Sequence, residues 1–229
     1  MNKIYIWDTY NIIKQIESES IDLIITDPPY WIWISKEWDN ENIITDFVDE
    51  FYRILKPNGQ LFIFAWWSNV CDTITKFNNN FHLNNWIIYD RIKWRWALKR
   101  LVSTREDLLW FVKNKKEYTF NKDKAYSTIK KKTWWLWLKN WRDTRALSNV
   151  WTDISPIVPW SKERFNHPTQ KPEKIIDRII EVFSNEWDVI YDPFAWTWTT
   201  WVSAKRLGRK YILWEKNEDY IKIINNRIK

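Results

Sequence analysis

The chain has 229 residues, of which 45% are hydrophobic and 28% charged, a length that suits one domain with a buried core and excludes two large domains. Its net charge of +7 fits a polyanionic partner, and its one cysteine, Cys71, excludes an intrachain disulfide framework and a cysteine-rich metal cluster. The apolar runs are strand-sized and no signal peptide is visible, so we expect a soluble cytoplasmic protein.

Strands and helices alternate through the first half of the chain. Two stretches contain proline: Asp27-Pro28-Pro29-Tyr30 ends the second strand abruptly, and Lys56-Pro57-Asn58-Gly59 is a turn that closes a helix. Apolar residues at helical or strand spacing define the other elements. The predicted strands cover residues 3–6, 21–26, 61–65, 86–89 and 107–112, and the predicted helices cover residues 10–16, 46–55 and 70–77.

The second half opens with a stretch that lacks this periodicity. From about residue 114 to residue 162 the sequence is basic, polar and rich in tryptophan, and it includes the run Lys130-Lys131-Lys132. We expect an inserted recognition segment or long loop here, within a single domain that spans residues 1–229. Alternating elements then return and predict an α/β fold with a doubly wound, mostly parallel sheet. The predicted helices cover residues 173–183 and 199–207, and the predicted strands cover residues 189–191 and 211–214.

Asp27-Pro28-Pro29-Tyr30 follows a strand of the predicted sheet, at the edge where such sheets bind ligands. Consecutive prolines fix φ and leave carbonyl groups facing a ligand, beside a carboxylate and an aromatic ring. The Asp27 carboxylate and the Pro28 carbonyl can accept the two N–H bonds of an exocyclic amine such as N6 of adenine, while Tyr30 stacks on the base. A base in a duplex reaches such a pocket only when it is flipped out. Four residues alone favour the plainer interpretation, a turn that ends a strand.

A second strand end carries the other candidate site. Asp192-Pro193-Phe194 opens a loop that runs to Thr199-Thr200 at the start of a helix, and Glu215 ends the next strand about 23 residues after Asp192. An acidic residue at this place in a nucleotide-binding unit receives ribose hydroxyls. The loop lacks the expected glycines, but it becomes D-P-F-A-G-T-G-T-T when Trp196 and Trp198 are read as glycine.

On these motifs the chain resembles the DNA amino-methyltransferases of the permuted β group. The resemblance spans nearly the whole chain and rests on Trp7-Asp8, the motif 27–30, His167-Pro168-Thr169-Gln170-Lys171-Pro172, the loop 192–200 and Glu215, in this order. It implies a Rossmann-like methyltransferase fold with a circularly permuted order of motifs, and S-adenosylmethionine as the cofactor. It also makes residues 115–160 the target-recognition segment.

The resemblance further implies roles for individual residues. The catalytic motif consists of Asp27, Pro28, Pro29 and Tyr30. Asp8 lies near the adenine of the cofactor, and the stretch from residue 167 to residue 171 lies near its methionine part. The predicted cofactor-binding residues are Asp8, His167, Thr169, Lys171, Asp192, Phe194, Trp196, Trp198, Thr199, Thr200 and Glu215. The predicted DNA-binding residues are Lys130, Lys131, Lys132 and Arg142, and for the three lysines a solvated face is an equal alternative. No metal is implied.

Alternative substrates and functions stay open at this point. The sequence D-P-P-Y favours adenine N6, whereas S-P-P-Y more often accompanies cytosine N4 in the same family, which makes cytosine N4 the alternative. Cytosine C5 chemistry needs a cysteine nucleophile, normally after a proline, but Cys71 follows Val70. The alternative from another class is a non-catalytic protein whose tryptophans, if they are real, stack on single-stranded nucleic acid.

Double-stranded DNA is the partner that the resemblance implies. The sequence does not decide whether a cognate restriction endonuclease exists or whether the protein forms a homodimer.

Tryptophan and glycine occur in unusual numbers, 21 and 2, where about 16 glycines are expected for this length. We hypothesise that the gene uses UGA for glycine and was translated with a table that reads UGA as tryptophan. UGG codons at positions 196 and 198 would refute this. The family has glycine at Trp7, Trp31, Trp187, Trp196 and Trp198, and glycine also suits Trp33, Trp94, Trp96, Trp134, Trp135, Trp137, Trp141 and Trp201. The contexts of Trp38, Trp86, Trp110, Trp151 and Trp160 are ordinary for tryptophan, and Trp66, Trp67 and Trp214 are undecided.

Overall fold

A computed structural model describes residues 2–5, 9–29, 43–91, 99, 101–128, 144–161, 163–164, 170–195 and 199–214. Its strands are β1 (Asn2–Tyr5), β2 (Ile21–Thr26), β3 (Leu55–Ala65), β4 (His82–Asp90), β5 (Arg105–Val112), β6 (Tyr126–Thr128), β7 (Thr144–Ala146), β8 (Val150–Trp151), β9 (Val189–Asp192) and β10 (Lys210–Trp214). Its α-helices are α1 (Thr9–Ile13), α2 (Val48–Ile54), α3 (Val70–Phe77), α4 (Glu173–Phe183) and α5 (Thr199–Arg206), with short 3₁₀ helices at Ile43–Phe47 and Lys122–Lys124. Within the described ranges, no helix is long and apolar enough to cross a lipid bilayer.

Eight strands form one sheet in the order β1-β10-β9-β2-β3-β5-β4-β8. All neighbours are parallel except β5, which runs antiparallel to both β3 and β4. The prediction of a doubly wound, mostly parallel sheet is therefore confirmed. Strands β6 and β7 form a separate antiparallel pair.

Apolar side chains on both faces of the sheet create two core layers. Along β3, Phe62 and Phe64 belong to one layer, and Leu61 and Ile63 belong to the other, as the alternation of a strand requires. The first layer is closed by α4 and α5, and the second by α2 and α3. A sheet covered by helices on both faces needs apolar side chains on both faces of its central strands, which is the pattern of residues 23–25 of β2 and 61–65 of β3.

Several predicted elements match the observed ones, but the helix predicted over residues 10–16 ends at Ile13, and the one predicted over residues 46–55 is α-helical only over Val48–Ile54. The helix predicted over residues 173–183 has those bounds in α4. The predicted turn Lys56-Pro57-Asn58-Gly59 instead lies within β3, because Leu55 already pairs with Ile21 and pairing resumes between Gln60 and Leu23. The four residues form a bulge between these two pairs. Likewise β4 is longer than predicted because it pairs with β5 along its whole length.

Parts of the segment 115–160 pack firmly on the α4 side of the sheet. Ala125, Trp151 and Ile154 are buried in the same core layer as α4. The Asp153 carboxylate forms two hydrogen bonds with the guanidinium of Arg178 on α4, at 2.9 Å and 2.7 Å. These contacts attach both ends of the segment to the core, whereas residues 129–143 lie outside the described ranges.

The tryptophans divide into two groups by their surroundings. Three with ordinary contexts, Trp86, Trp110 and Trp151, donate their indole N–H to protein acceptors at 2.8–3.0 Å. By contrast Trp201 is 3% exposed, and its indole N–H has no hydrogen-bond partner among the described residues. Trp187 has a φ of 70°, in the left-handed region that favours glycine. Both of these belong to the positions where glycine suits the family.

Candidate active site

The candidate site lies where β2 and β9 end side by side. The two strands are parallel neighbours, with Leu23 paired to Ile190 and Ile24 to Tyr191, so their carboxyl ends meet at one edge of the sheet. From β2 the chain passes through α2 to β3 on one side, and from β9 through α5 to β10 on the other. Such a point, where the strand order reverses, is where open α/β sheets bind ligands.

Asp27 is the first residue after β2 and stands at this edge. Its side chain is 20% exposed, while Pro28 and Pro29 behind it are buried. Burial and the fixed φ angles of the two prolines hold the backbone that carries the carboxylate. Tyr30 lies outside the described residues, so its predicted stacking role stays a prediction.

Asp192 at the end of β9 fixes the second loop to the start of α5. Its Oδ1 accepts a hydrogen bond from the backbone N–H of Phe194 at 3.0 Å, and its Oδ2 accepts one from the Thr200 hydroxyl at 2.6 Å. All three side chains are buried, and Thr199 beside them is buried too. One carboxylate thus connects both ends of the loop whose centre, Trp196 to Trp198, is outside the described ranges.

Lys171 connects the two loops. Its side chain is 4% exposed, and its Nζ lies 2.6 Å from Asp27 Oδ2 and 4.9 Å from the centre of the Phe64 ring. The Lys171 backbone carbonyl accepts a hydrogen bond from the Thr199 hydroxyl at 3.3 Å. The resemblance implies a cofactor-binding role for this lysine, and in the structure its amine contacts the Asp27 carboxylate.

A pocket opens between the two loops and is lined by six of the predicted site residues: Asp27, Lys171, Asp192, Phe194, Thr199 and Thr200. Apolar side chains complete its wall: Ile25, Phe64, Ile176 and Ala195. This mixture of carboxylates, an ammonium group, hydroxyls and an apolar wall fits a zwitterionic cofactor with an aromatic base, such as S-adenosylmethionine. The remaining predicted residues are outside the described ranges: Asp8, Tyr30, Lys130, Lys131, Lys132, Arg142, His167, Thr169, Trp196, Trp198 and Glu215.

Sequence reasoning missed a second buried carboxylate near this pocket. Glu106 on β5 is 9% exposed, forms an ion pair with Arg91, and lies 3.7 Å from Lys171 Nζ through its Oε2. The sequence held one signal, because three charged residues, Arg105, Glu106 and Asp107, directly precede the apolar stretch of this strand. Charged residues in a strand that is buried on both faces need partners of opposite charge or hydrogen-bond donors nearby.

Comparison with known proteins gives a consistent result. Residues 21–226 match the N6/N4 methyltransferase family described as DNA methylase. The type II methyltransferase M.HpaI of Haemophilus parainfluenzae is 31% identical, over 94% of this chain and 70% of that protein. The DNA adenine methyltransferase YhdJ of Escherichia coli K12 is 33% identical, over 92% of this chain and 77% of that protein.

Solved structures share the fold. The crystal structure of the M1.HpyAVI complex with S-adenosylmethionine matches with a TM-score of 0.71 and 27% identity, over 99% of this chain and 100% of that one. The cytosine-N4-specific PvuII DNA methyltransferase matches with a TM-score of 0.72 and 20% identity, over 96% of this chain and 83% of that one. The predicted Rossmann-like methyltransferase fold is therefore confirmed.

Proposed function

The chain belongs to the DNA methylase family of N6 and N4 amino-methyltransferases, and from this premise we propose that it methylates N6 of adenine in DNA. It is an S-adenosylmethionine-dependent DNA methyltransferase, and the choice of adenine is the proposal. The observation that carries it is the Asp27 carboxylate at the end of β2, within the pocket that also holds Asp192, Thr199 and Thr200. The Asp27 carboxylate, which would accept the amine, and the loop expected to hold the cofactor therefore line the same pocket.

Asp27 supplies the acceptor that this reaction needs. A carboxylate oxygen that takes an N–H bond of the exocyclic amine draws the nitrogen lone pair out of the ring system and fixes its direction. Bound S-adenosylmethionine supplies a methyl group on a positively charged sulfonium. The protein's task is to position the amine, for which the buried Pro28 and Pro29 provide a rigid support.

The cofactor is expected to bind along the loop from Asp192 to Thr200. Asp192 holds the loop through Phe194 and Thr200, and the start of α5 presents backbone N–H groups that suit a cofactor carboxylate. Asp8 and Glu215 are proposed for the adenine and ribose parts on the strength of the resemblance alone. If Trp196 and Trp198 are glycines, the backbone there can approach the cofactor closely.

Double-stranded DNA is the proposed substrate, with the target base flipped out of the helix. The positive net charge of the chain favours a polyanion, and the segment 115–160 with Lys130 to Lys132 and Arg142 is proposed to contact its phosphates. Since M.HpaI is a type II methyltransferase, a cognate restriction endonuclease is a fitting partner.

Cytosine N4 is the second candidate target, and one observation favours it. The cytosine-N4-specific PvuII enzyme has the same fold over nearly the whole chain. Asp27 can accept an N–H bond from either exocyclic amine, and adenine is proposed first because the sequence Asp27-Pro28-Pro29-Tyr30 favours it. We expect the shape of the base pocket to make the distinction, and the resemblance assigns Tyr30 to that pocket.

A transfer assay tests the proposal. Purified protein is incubated with labelled S-adenosylmethionine and duplex DNA, and the DNA is digested to nucleosides for mass spectrometry. We expect N6-methyldeoxyadenosine; N4-methyldeoxycytidine would support the second candidate, and no label in either nucleoside would overturn the function.

The Asp27→Asn variant ties the activity to the site. It removes the charged acceptor while keeping the side-chain size, so we expect transfer to fall about 100-fold with DNA binding retained. Asp22→Asn is the matched control, because Asp22 lies on β2, the strand that precedes Asp27, and pairs with Lys56 at 2.6 Å, away from the pocket. Normal transfer by Asp27→Asn would contradict the assignment.

A further inference from the structure

Glu106 is a buried carboxylate linked to the candidate site through Lys171. It is the second residue of β5 and pairs in register with Tyr89 of β4. Its Oε1 accepts a hydrogen bond from the Arg91 guanidinium, and its Oε2 lies 3.7 Å from Lys171 Nζ. Among the described residues Oε2 has no hydrogen-bond partner, so the ion pair with Lys171 is its polar contact there.

The four side chains form a row of alternating charge: Arg91, Glu106, Lys171 and Asp27. Their exposed fractions are 17%, 9%, 4% and 20% in that order, so solvent screens these charges weakly. A lysine that is almost fully buried needs paired charge around it, and here two carboxylates on different elements supply it. Removing one carboxylate therefore changes how strongly Lys171 engages the other.

We propose that Glu106, held by Arg91, is a positioning residue that places Lys171 so that Asp27 is oriented towards the target amine. The inference rests on the proposed methyl transfer. Because Glu106 shares the ammonium charge, Lys171 can fix the Asp27 carboxylate without fully neutralising it. Without Glu106 the ammonium of Lys171 binds Asp27 more strongly and competes with the amine for the same carboxylate.

Burial also keeps the neighbouring Tyr89 neutral. Desolvation, with the charge of Glu106 nearby, raises the pKa of this tyrosine above its ordinary value. A neutral phenol adds no further charge to the row. The electrostatic balance at Asp27 therefore depends on Glu106 and Lys171.

Kinetics of three variants separate this role from cofactor binding. We expect Lys171→Met and Glu106→Gln to lower kcat about 10-fold or more, while the Kd for S-adenosylmethionine stays within about twofold. Lys171→Arg keeps a cation and should retain more kcat than Lys171→Met. A Kd that rises in step with the loss of kcat would assign Lys171 to the cofactor and overturn the proposal.

Asp107→Asn is the matched control for Glu106→Gln. Asp107 is the next residue of the same strand, is 2% exposed, and pairs with Arg105 while accepting the Trp86 indole N–H. Both variants remove one buried carboxylate charge from β5. We expect kcat to stay near normal in Asp107→Asn. Equal losses of kcat in the two variants would mean that Glu106 only stabilises the fold, and would contradict the proposal.

Stability measurements test the coupling without any reaction. In urea unfolding, the loss of stability in the Glu106→Gln/Lys171→Met double variant should be smaller than the sum of the single losses, whereas Asp107→Asn and Lys171→Met should add. Additive losses for the first pair would refute the coupling. If the unaltered protein transfers no methyl group, the proposed function fails, and the stability cycle still decides whether Glu106 and Lys171 act together.

Discussion

Trp187 occupies a backbone position that only glycine adopts without strain. It is the third residue of the turn Asn185–Asp188, in which the Asp188 N–H donates to the Asn185 carbonyl at 3.2 Å. The φ of Trp187 is 70°, whereas the φ of Glu186 before it is not positive. A positive φ at the third residue of a turn alone is the pattern of a type II turn. Glu19, with a φ of 54°, is the one other non-glycine residue of this kind in the described ranges.

The size of the effect follows from comparing alanine with glycine at position 187. A residue with a Cβ destabilises the folded protein by about 1–2 kcal/mol when its backbone is in the left-handed region. Glycine avoids that strain, but it lowers stability by about 0.4–1 kcal/mol because it gives the unfolded chain more conformational freedom. The backbone cannot easily relax, because the Trp187 N–H donates to the Gly208 carbonyl at 3.0 Å. We expect Trp187→Gly to be more stable than Trp187→Ala by about 0.5–1 kcal/mol.

Trp160 provides the control, since it is exposed, lies in a turn and has no positive φ. There the order should reverse, with Trp160→Ala more stable than Trp160→Gly by about 0.4–1 kcal/mol. Because each comparison involves two small residues, the contacts of the indole cancel. The assay is equilibrium unfolding in urea at fixed pH. A Trp187→Ala variant as stable as Trp187→Gly would refute the reasoning.

Two further predictions concern buried polar groups. Burial by itself raises the pKa of the Asp153 carboxyl, but the bonds and charge of Arg178 outweigh it and hold that pKa below its ordinary value. Stability from this pair is therefore present at neutral pH and lost as the pH falls below about 4, and Asp153→Asn should weaken that acid dependence in urea unfolding. Trp201→Phe removes an unpaired buried N–H and should leave the unfolding free energy nearly unchanged, within about 1 kcal/mol. Trp110→Phe breaks the bond to Gln60 and should cost about 1–3 kcal/mol, and equal costs for the two would be evidence against the distinction.

The sequence predicted the elements that a single periodic pattern determines. The apolar spacing of α4 predicted both of its ends, and the bounds of β2, which ends at Thr26 directly before Asp27, were predicted to the residue. The Lys56–Gly59 stretch was misjudged because a proline and a glycine signal a turn locally. Whether such residues leave the sheet or bulge within it depends on the pairing of the neighbouring strand, which no local pattern contains.

The sequence by itself determined the fold class, the family and the two strand ends that carry Asp27 and Asp192. Periodicity and motif order suffice for this, because parallel strands bring their carboxyl ends to the same edge of the sheet. Only the tertiary structure decided that Lys171, 144 residues beyond Asp27, binds that carboxylate, and that Glu106 reaches the same amine from β5. Contacts between charged side chains depend on strand order and register, and these are fixed by packing across the whole sheet.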